Sequence, residues 1–74
     1  MAYKKDHQYE SLAEGIIVRA AKDYRRAVRR LKKDPEDPDS KYTVKECESF
    51  FRSRYFATLA DVDPEMMMRR LAEV

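Results

Sequence analysis

The stretch from Ser11 to Lys33 places apolar residues at the spacing of an α-helix, and this pattern constrains the fold more than any other feature. At about 100° per residue, the apolar side chains fall within an arc of roughly 140°, and basic residues fill most of the remaining surface. We therefore predict an amphipathic helix whose apolar arc packs against another helix. The residues of the arc are Ala13, Ile16, Ile17, Ala20, Ala21, Tyr24, Ala27, Val28 and Leu31.

Helix start signals divide the chain into segments. Ser11 and Glu14 have the spacing of a capping box, which predicts that the first helix begins at Ser11 and leaves residues 1–9 as a flexible arm. Asp37 and Asp63 each precede a proline, as an N-cap precedes the first helical residue. The second helix should break at Ser53, because its continuation would place Arg54 on the apolar face.

These segments predict an all-α fold in a single domain spanning residues 1–74. The chain contains one glycine and three prolines, and the short loop after Lys33 is typical of two helices that fold back antiparallel. We expect an antiparallel helical hairpin followed by one or two short C-terminal helices. The last helix should run from Pro64 to about Glu73 and bury Met67, Met68 and Leu71.

The length of the chain makes self-association an expected part of the fold. A core built from 74 residues supplies only a few kcal/mol, so small proteins usually add disulfides, a metal or further subunits. Cys47 is the only cysteine and His7 the only histidine, which excludes an internal disulfide and a zinc site built from one chain. We therefore predict a homo-oligomer without a metal or a cofactor.

Charge and hydropathy indicate a soluble protein. Sixteen basic residues nearly balance fourteen acids, but eight of the basic ones lie between Arg19 and Lys33, directly before the acidic loop DPEDPDS. The first ten residues lack the apolar run of a secretory signal, and no stretch is apolar enough to span a membrane. We expect a cytoplasmic protein with no membrane partner.

The segment FFRSRYF, residues 50–56, combines aromatic rings with two arginines. Its phenylalanines are best explained as core, because the small residues of the first helix need large rings opposite them. Arginine beside an aromatic ring also suits a phosphorylated ligand, since guanidinium matches phosphate geometry and a tyrosine face can stack on a base. Arg25 lies at the edge of the apolar arc, where it could line a seam between subunits. The candidate ligand-binding residues are Arg25, Arg52, Arg54, Tyr55 and Tyr24, of which Tyr24 is also a candidate core residue.

Two features of the sequence suggest DNA as an alternative ligand. The basic stripe of the first helix could follow phosphates, although the adjacent acidic loop and the helix dipole explain it more simply. The segment ATLADVDPEMMMRRL partly matches a helix-turn-helix, with Ala57, Asp61 and Met67 at the expected spacing and Arg69 and Arg70 available to contact DNA. Catalysis is not indicated, because no Ser, His and carboxylate grouping can be assembled.

Three consecutive parts of the chain carry a resemblance: KDYRRAVRRLKK, the proline-interrupted loop that follows it, and ECESFFRSRYFATLADVDPEMMMRRL. Through these parts the chain resembles a group of small uncharacterised helical proteins from phages and prophages of Gram-positive bacteria. The resemblance covers most of residues 12–71 and contains no known active-site motif. Its motifs correspond here to Lys22 to Arg25, Glu48, Phe50 to Ser53, Tyr55, Phe56, Leu59 and Asp63 to Glu65, with Ala60 where threonine is common.

The resemblance implies a phage protein acting in the cytoplasm of a bacterial host. By analogy with small phage proteins of this shape, it suggests a counter-defence factor that sequesters a nucleotide immune signal. The leading hypothesis is thus a non-enzymatic homo-oligomer that binds a small phosphorylated ligand. A DNA-binding regulator and a protein inhibitor of a host factor remain as alternatives.

Overall fold

The computed structural model describes the backbone of residues 2–73 and the side chains of residues 15–73. Over this range the chain is all-α and contains no strand, as predicted. The helices are α1 (Ala2–Lys33), α2 (Pro38–Phe51), α3 (Arg54–Leu59) and α4 (Pro64–Leu71). Within the described residues, no helix combines the length and the hydropathy that crossing a bilayer requires.

The three later helices begin where the sequence predicts, because each start is fixed by a local cap. The Asp37 carboxylate accepts the backbone N–H of Ser40, and the Asp63 carboxylate accepts that of Glu65. Proline follows each aspartate at the first helical position. The predicted break at Ser53 is also confirmed, since α2 ends at Phe51 and Ser53 caps α3.

The predicted start of the first helix is wrong. Helix α1 begins at Ala2 and passes through Ser11 without interruption, so Ser11 is an interior residue rather than an N-cap. Residues 2–10 contain neither glycine nor proline, and nothing in their sequence forces the backbone out of the helix. The flexible arm at residues 1–9 stays a prediction.

Helices α1 and α2 pack against each other as the predicted hairpin. Helix α3 packs against α2, and α4 contacts both α1 and α2. Glu65 near the start of α4 bonds to Arg52, and the Ala72 carbonyl after its end accepts a hydrogen bond from Lys32. The buried cluster consists of Tyr24, Cys47, Phe51, Phe56 and Met68.

The predicted apolar arc of α1 is only partly covered. Ile17, Ala20 and Val28 pack against the core, and Ala27 is buried. Ile16 lies on the same arc but remains 44% exposed. Ala13 precedes the residues whose side chains are described. Among the described side chains, the hairpin therefore covers the arc in the C-terminal part of α1 and leaves it exposed at Ile16.

Candidate functional site

The segment FFRSRYF forms the corner between α2 and α3, and Ser53 holds this corner from both sides. The Ser53 hydroxyl donates to the carbonyl of Phe50 at 2.6 Å and accepts the backbone N–H of Phe56 at 3.1 Å. Because the backbone turns here, Phe51 and Phe56 enter the core while Arg54 and Tyr55 stay at the surface. The corner thus separates the apolar part of the segment from its polar part.

The phenylalanines of this corner are core residues, as predicted. Phe51 and Phe56 are each 1% exposed, and their ring centroids are 5.4 Å apart in an edge-to-face arrangement. Phe50 is half-buried and its ring lies 5.5 Å from that of Phe56. Edge-to-face pairs at this distance add to the free energy gained by burial. The cluster stabilises the fold and leaves no open aromatic face at its centre.

Tyr24 belongs to the same core. Its ring packs edge-on against Phe51 at 5.9 Å, and its hydroxyl donates to the Glu48 carboxylate at 3.4 Å. Burial raises the pKa of the Tyr24 phenol, and the negative charge of Glu48 raises it further. With 5% of its surface exposed, Tyr24 has no free face on which a base could stack. Of the two tyrosines considered for stacking, only Tyr55 remains accessible.

Arg52 is engaged by carboxylates of the protein itself. Its Nε and Nη2 atoms donate to the two Glu65 oxygens at 2.7 and 3.0 Å, and Nη1 lies 3.7 Å from Glu48. These hydrogen bonds from Arg52 lower the pKa of the Glu65 carboxyl, and the pKa of Arg52 is raised in turn. Arg52 therefore ties α4 to α2, and a phosphate group would have to displace Glu65 to reach it.

Arg54 and Tyr55 are adjacent and exposed on the first turn of α3. Tyr55 is 55% exposed, and its ring centroid lies 6.3 Å from that of half-buried Phe50. Among the described side chains, no hydrogen bond or ion pair engages the Arg54 guanidinium. The pair offers five hydrogen-bond donors and an aromatic surface side by side.

Arg25 is exposed on α1, and the structure places it on a different element from Arg54. The remaining basic residues of α1 are exposed as well, from Arg19 to Lys33. Among the described side chains, Arg26 forms a long ion pair with Asp23 at 3.8 Å, and Arg30 forms one with Asp37 at 3.9 Å. Exposed pairs of this kind contribute little to stability. The basic face is therefore loosely held and largely solvated.

An open cleft of about 540 Å³ lies between α1 and the start of α2, and sequence reasoning missed it. In the sequence, the only indication of this cleft was the acidic loop next to a basic helix. Because three carboxylates and two guanidinium groups share the cleft, it is not a simple anion site. It is lined by Asp23, Arg26, Ala27, Arg30, Asp37, Asp39, Ser40 and Thr43.

The arrangement of α3 and α4 does not favour a helix-turn-helix. In that motif the first helix packs on the second, with a small residue buried between them. Here α3 packs against α2, whereas α4 packs against α1 and α2, and Ala57 is exposed. Arg69 and Arg70 are exposed on α4, but the supporting helix is not in the position that the motif requires.

Residues that could hold a metal do not converge within the described part of the chain, where no three His, Cys, Asp or Glu side chains form a suitable group. Comparison of the sequence with protein-family models and curated proteins, and of the fold with solved structures, finds no match. The resemblance to phage and prophage proteins therefore stays a prediction.

Proposed function

We propose that this protein is a non-enzymatic binding protein for a small phosphorylated ligand, most concretely a nucleotide. The observation that carries the proposal is the contrast between two arginines of one corner. Arg52 is occupied by Glu65, whereas Arg54 is exposed beside the accessible ring of Tyr55. A guanidinium group can hold a phosphate through paired hydrogen bonds, while the tyrosine ring can stack on a base.

One chain supplies too few groups for a complete pocket around Arg54 and Tyr55. Small-molecule sites usually bury most of the ligand surface, but this corner is exposed. A second copy of the chain would enclose the ligand, and Arg25 would contribute a further cation from α1. The proposal therefore includes that the protein is a homo-oligomer. In a phage-infected cell, such a protein would act in the cytoplasm by sequestering a nucleotide immune signal.

The test is calorimetry against a panel of cyclic and linear nucleotides, with duplex DNA alongside. Arg54→Ala should weaken nucleotide binding by tens-fold or more, because a buried charged contact typically contributes about 2 to 5 kcal/mol on truncation. Arg29→Ala is the matched control, since Arg29 is also exposed but lies on the basic face of α1. It should bind as the parent does.

Two results would contradict the proposal. The first is a parent protein that binds no nucleotide of the panel, and the second is an Arg54→Ala variant that binds as tightly as the parent. Binding of duplex DNA that is lost in Arg69→Ala and Arg70→Ala, with steep salt dependence, would instead favour the regulator hypothesis. Arg52→Ala is less informative, because it also releases Glu65 and loosens α4.

Binding to a host protein is the second candidate. Exposed apolar side chains around the start of α4 favour it, namely Val62 and Met66, each 52% exposed. Methionine adapts its shape to different partners, and exposed apolar groups are common at protein interfaces. If neither nucleotides nor DNA bind, Met66→Lys should weaken capture of a host partner without lowering thermal stability.

A further inference from the structure

The N-terminal half of α1 extends beyond the rest of the protein. Helix α1 contains 32 residues and is about 48 Å long, which matches the longest dimension of the molecule, 49 Å. Helix α2 contains 14 residues and spans only about 21 Å, so it cannot cover the length of α1. We call the uncovered part, from Ala2 to Ile16, the α1 arm.

The surface area and radius of the chain are those of an incomplete unit. The protein exposes 6130 Å², whereas a compact monomer of 8.8 kDa exposes about 4800 Å². Its radius of gyration is 14.2 Å, against about 11 Å for a compact chain of this length. The excess of roughly 1300 Å² is more than the approximately 800 Å² that each partner buries in a standard interface.

A helical arm of this length needs a partner. Packing of an apolar face supplies most of the stability of helices in proteins, and α2 is too short to pack against the arm. In the sequence the apolar arc continues onto the arm at Ala13 and Ile16, and at Ile16 the hairpin no longer covers it. Ile16 is 44% exposed although the neighbouring Ile17 packs against the core.

We infer that the α1 arm docks antiparallel on the α1 helix of a second copy of this chain, with the two helices crossing near Ile16. Charge selects this orientation. The arm contains three acids and two lysines, whereas residues 17–33 contain eight basic residues and one acid. An antiparallel crossing at Ile16 brings Asp6 and Glu10 level, along the helix axis, with Arg26 and Lys22 of the second copy. A parallel pairing would instead bring the two basic halves together.

The inference deepens the proposed function, because it names the partner and the surface that would complete the ligand site. Only in this respect does it rest on the proposed function. The dimer itself follows from the length, exposed area and charge of α1. Its test therefore measures mass in the absence of any ligand. A dimer that binds no nucleotide would leave the inference standing while sinking the proposed function.

The experiment compares the parent with two matched variants by sedimentation over a dilution series. Ile16 and Val18 are 44% and 50% exposed, but at about 100° per residue they lie roughly 160° apart around α1. Only Ile16 is on the apolar arc. Ile16→Gln should raise the dimer dissociation constant roughly ten-fold or more, since the change occurs in both copies. Val18→Gln should leave it unchanged.

Both substitutions introduce glutamine, which is a good helix former, and circular dichroism checks that the variants fold. If Ile16→Gln is not helical, Ile16→Ala serves as the second variant, because it removes apolar area without introducing a polar group. The inference is overturned by a parent that is monomeric at tens of micromolar. It is also overturned if substitutions at Ile16 do not weaken the dimer, or if Val18→Gln weakens it as much as Ile16→Gln.

Discussion

The two ends of α2 are attached to α1 by different means. At its C-terminal end, the aromatic end, the rings of Tyr24, Phe50, Phe51 and Phe56 meet with centroids 5.4 to 5.9 Å apart. The start of α2, the polar end, is formed by Asp37 and the groups around it.

At the polar end, Asp37 accepts hydrogen bonds from Ser40 and lies 3.9 Å from Arg30. The cleft lies at this end, along Ala27 and Thr43. The side chains of the polar end are satisfied by one another but do not exclude water.

The difference between the ends shows where a chain of this size obtains its stability. Buried rings contribute through the apolar area that they remove from water, whereas the polar contacts of the other end replace hydrogen bonds that water would also make. Most of the stability of the hairpin should therefore come from the aromatic end. The polar end can remain open without unfolding the protein.

The largest expected effect is at the aromatic end. Phe51→Ala should lower the free energy of unfolding by about 3 to 5 kcal/mol, because it leaves a cavity at the centre of the buried cluster. In a domain this small, that loss can abolish folding. Chemical unfolding followed by circular dichroism measures it.

Phe50→Ala is the matched control, since removal of its half-buried ring should lower the free energy of unfolding by less. The comparison of the two ends would fail if Phe51→Ala unfolded at the same denaturant concentration as the parent. If that variant also lost binding of a partner, the aromatic cluster would be a recognition surface rather than a core.

A smaller effect is expected at the polar end. Ser40 is buried, and its hydroxyl donates to the Asp37 carboxylate. Ser40→Ala should lower the free energy of unfolding by about 0.5 to 1.5 kcal/mol, the usual contribution of one such hydrogen bond. The same unfolding experiment measures it, with Ser49→Ala as a control at an exposed position of α2. An effect as large as that of Phe51→Ala would contradict the division between the two ends.

The smallest expected effect is a pH dependence confined to the polar end. Hydrogen bonds from Ser40 hold the pKa of Asp37 below its ordinary value of 3.8. Because the pKa of Asp37 is lower in the folded protein than in the unfolded chain, ionised Asp37 stabilises the fold above pH 3.8. This stabilisation is lost as the pH falls through the folded-state pKa. Asp37→Asn keeps a good N-cap but does not titrate.

The unfolding free energy of the parent, relative to that of Asp37→Asn, should therefore be highest at pH 6 and fall as the pH drops below 3.8. Glu65 has a lowered pKa for a similar reason, but both proteins retain it, so its effect cancels in the comparison. A difference that stayed constant down to pH 2 would show that ionised Asp37 is not the source of the stabilisation.

Features encoded by local sequence were predictable. Asp37, Ser53 and Asp63 cap helices because each side chain bonds to a backbone N–H two or three residues away. The start at Ser11 was predicted by the same rule and was wrong. A capping motif permits a helix to start but does not stop one that has already begun upstream, and residues 2–10 contain no helix breaker.

The roles of the arginines were not predictable from local sequence. Arg52 and Arg54 stand two positions apart in the same motif, yet Arg52 bonds to Glu65, thirteen residues away, because α4 folds back onto α2. That pairing depends on how the helices pack. The sequence placed Tyr24 on the apolar arc, but only the fold showed that Glu48 accepts its hydroxyl and that its ring faces are covered.

The burial of Cys47 gives the protein an internal reporter. Its Sγ atom lies in the core, 3.6 Å from the carbonyl oxygen of Ala20, and burial raises the pKa of the thiol. Electrophiles that react with the thiolate should therefore reach the sulfur chiefly when α2 separates from α1. The rate of labelling at this single cysteine reports how often the hairpin opens under native conditions, long before denaturant or heat would reveal it.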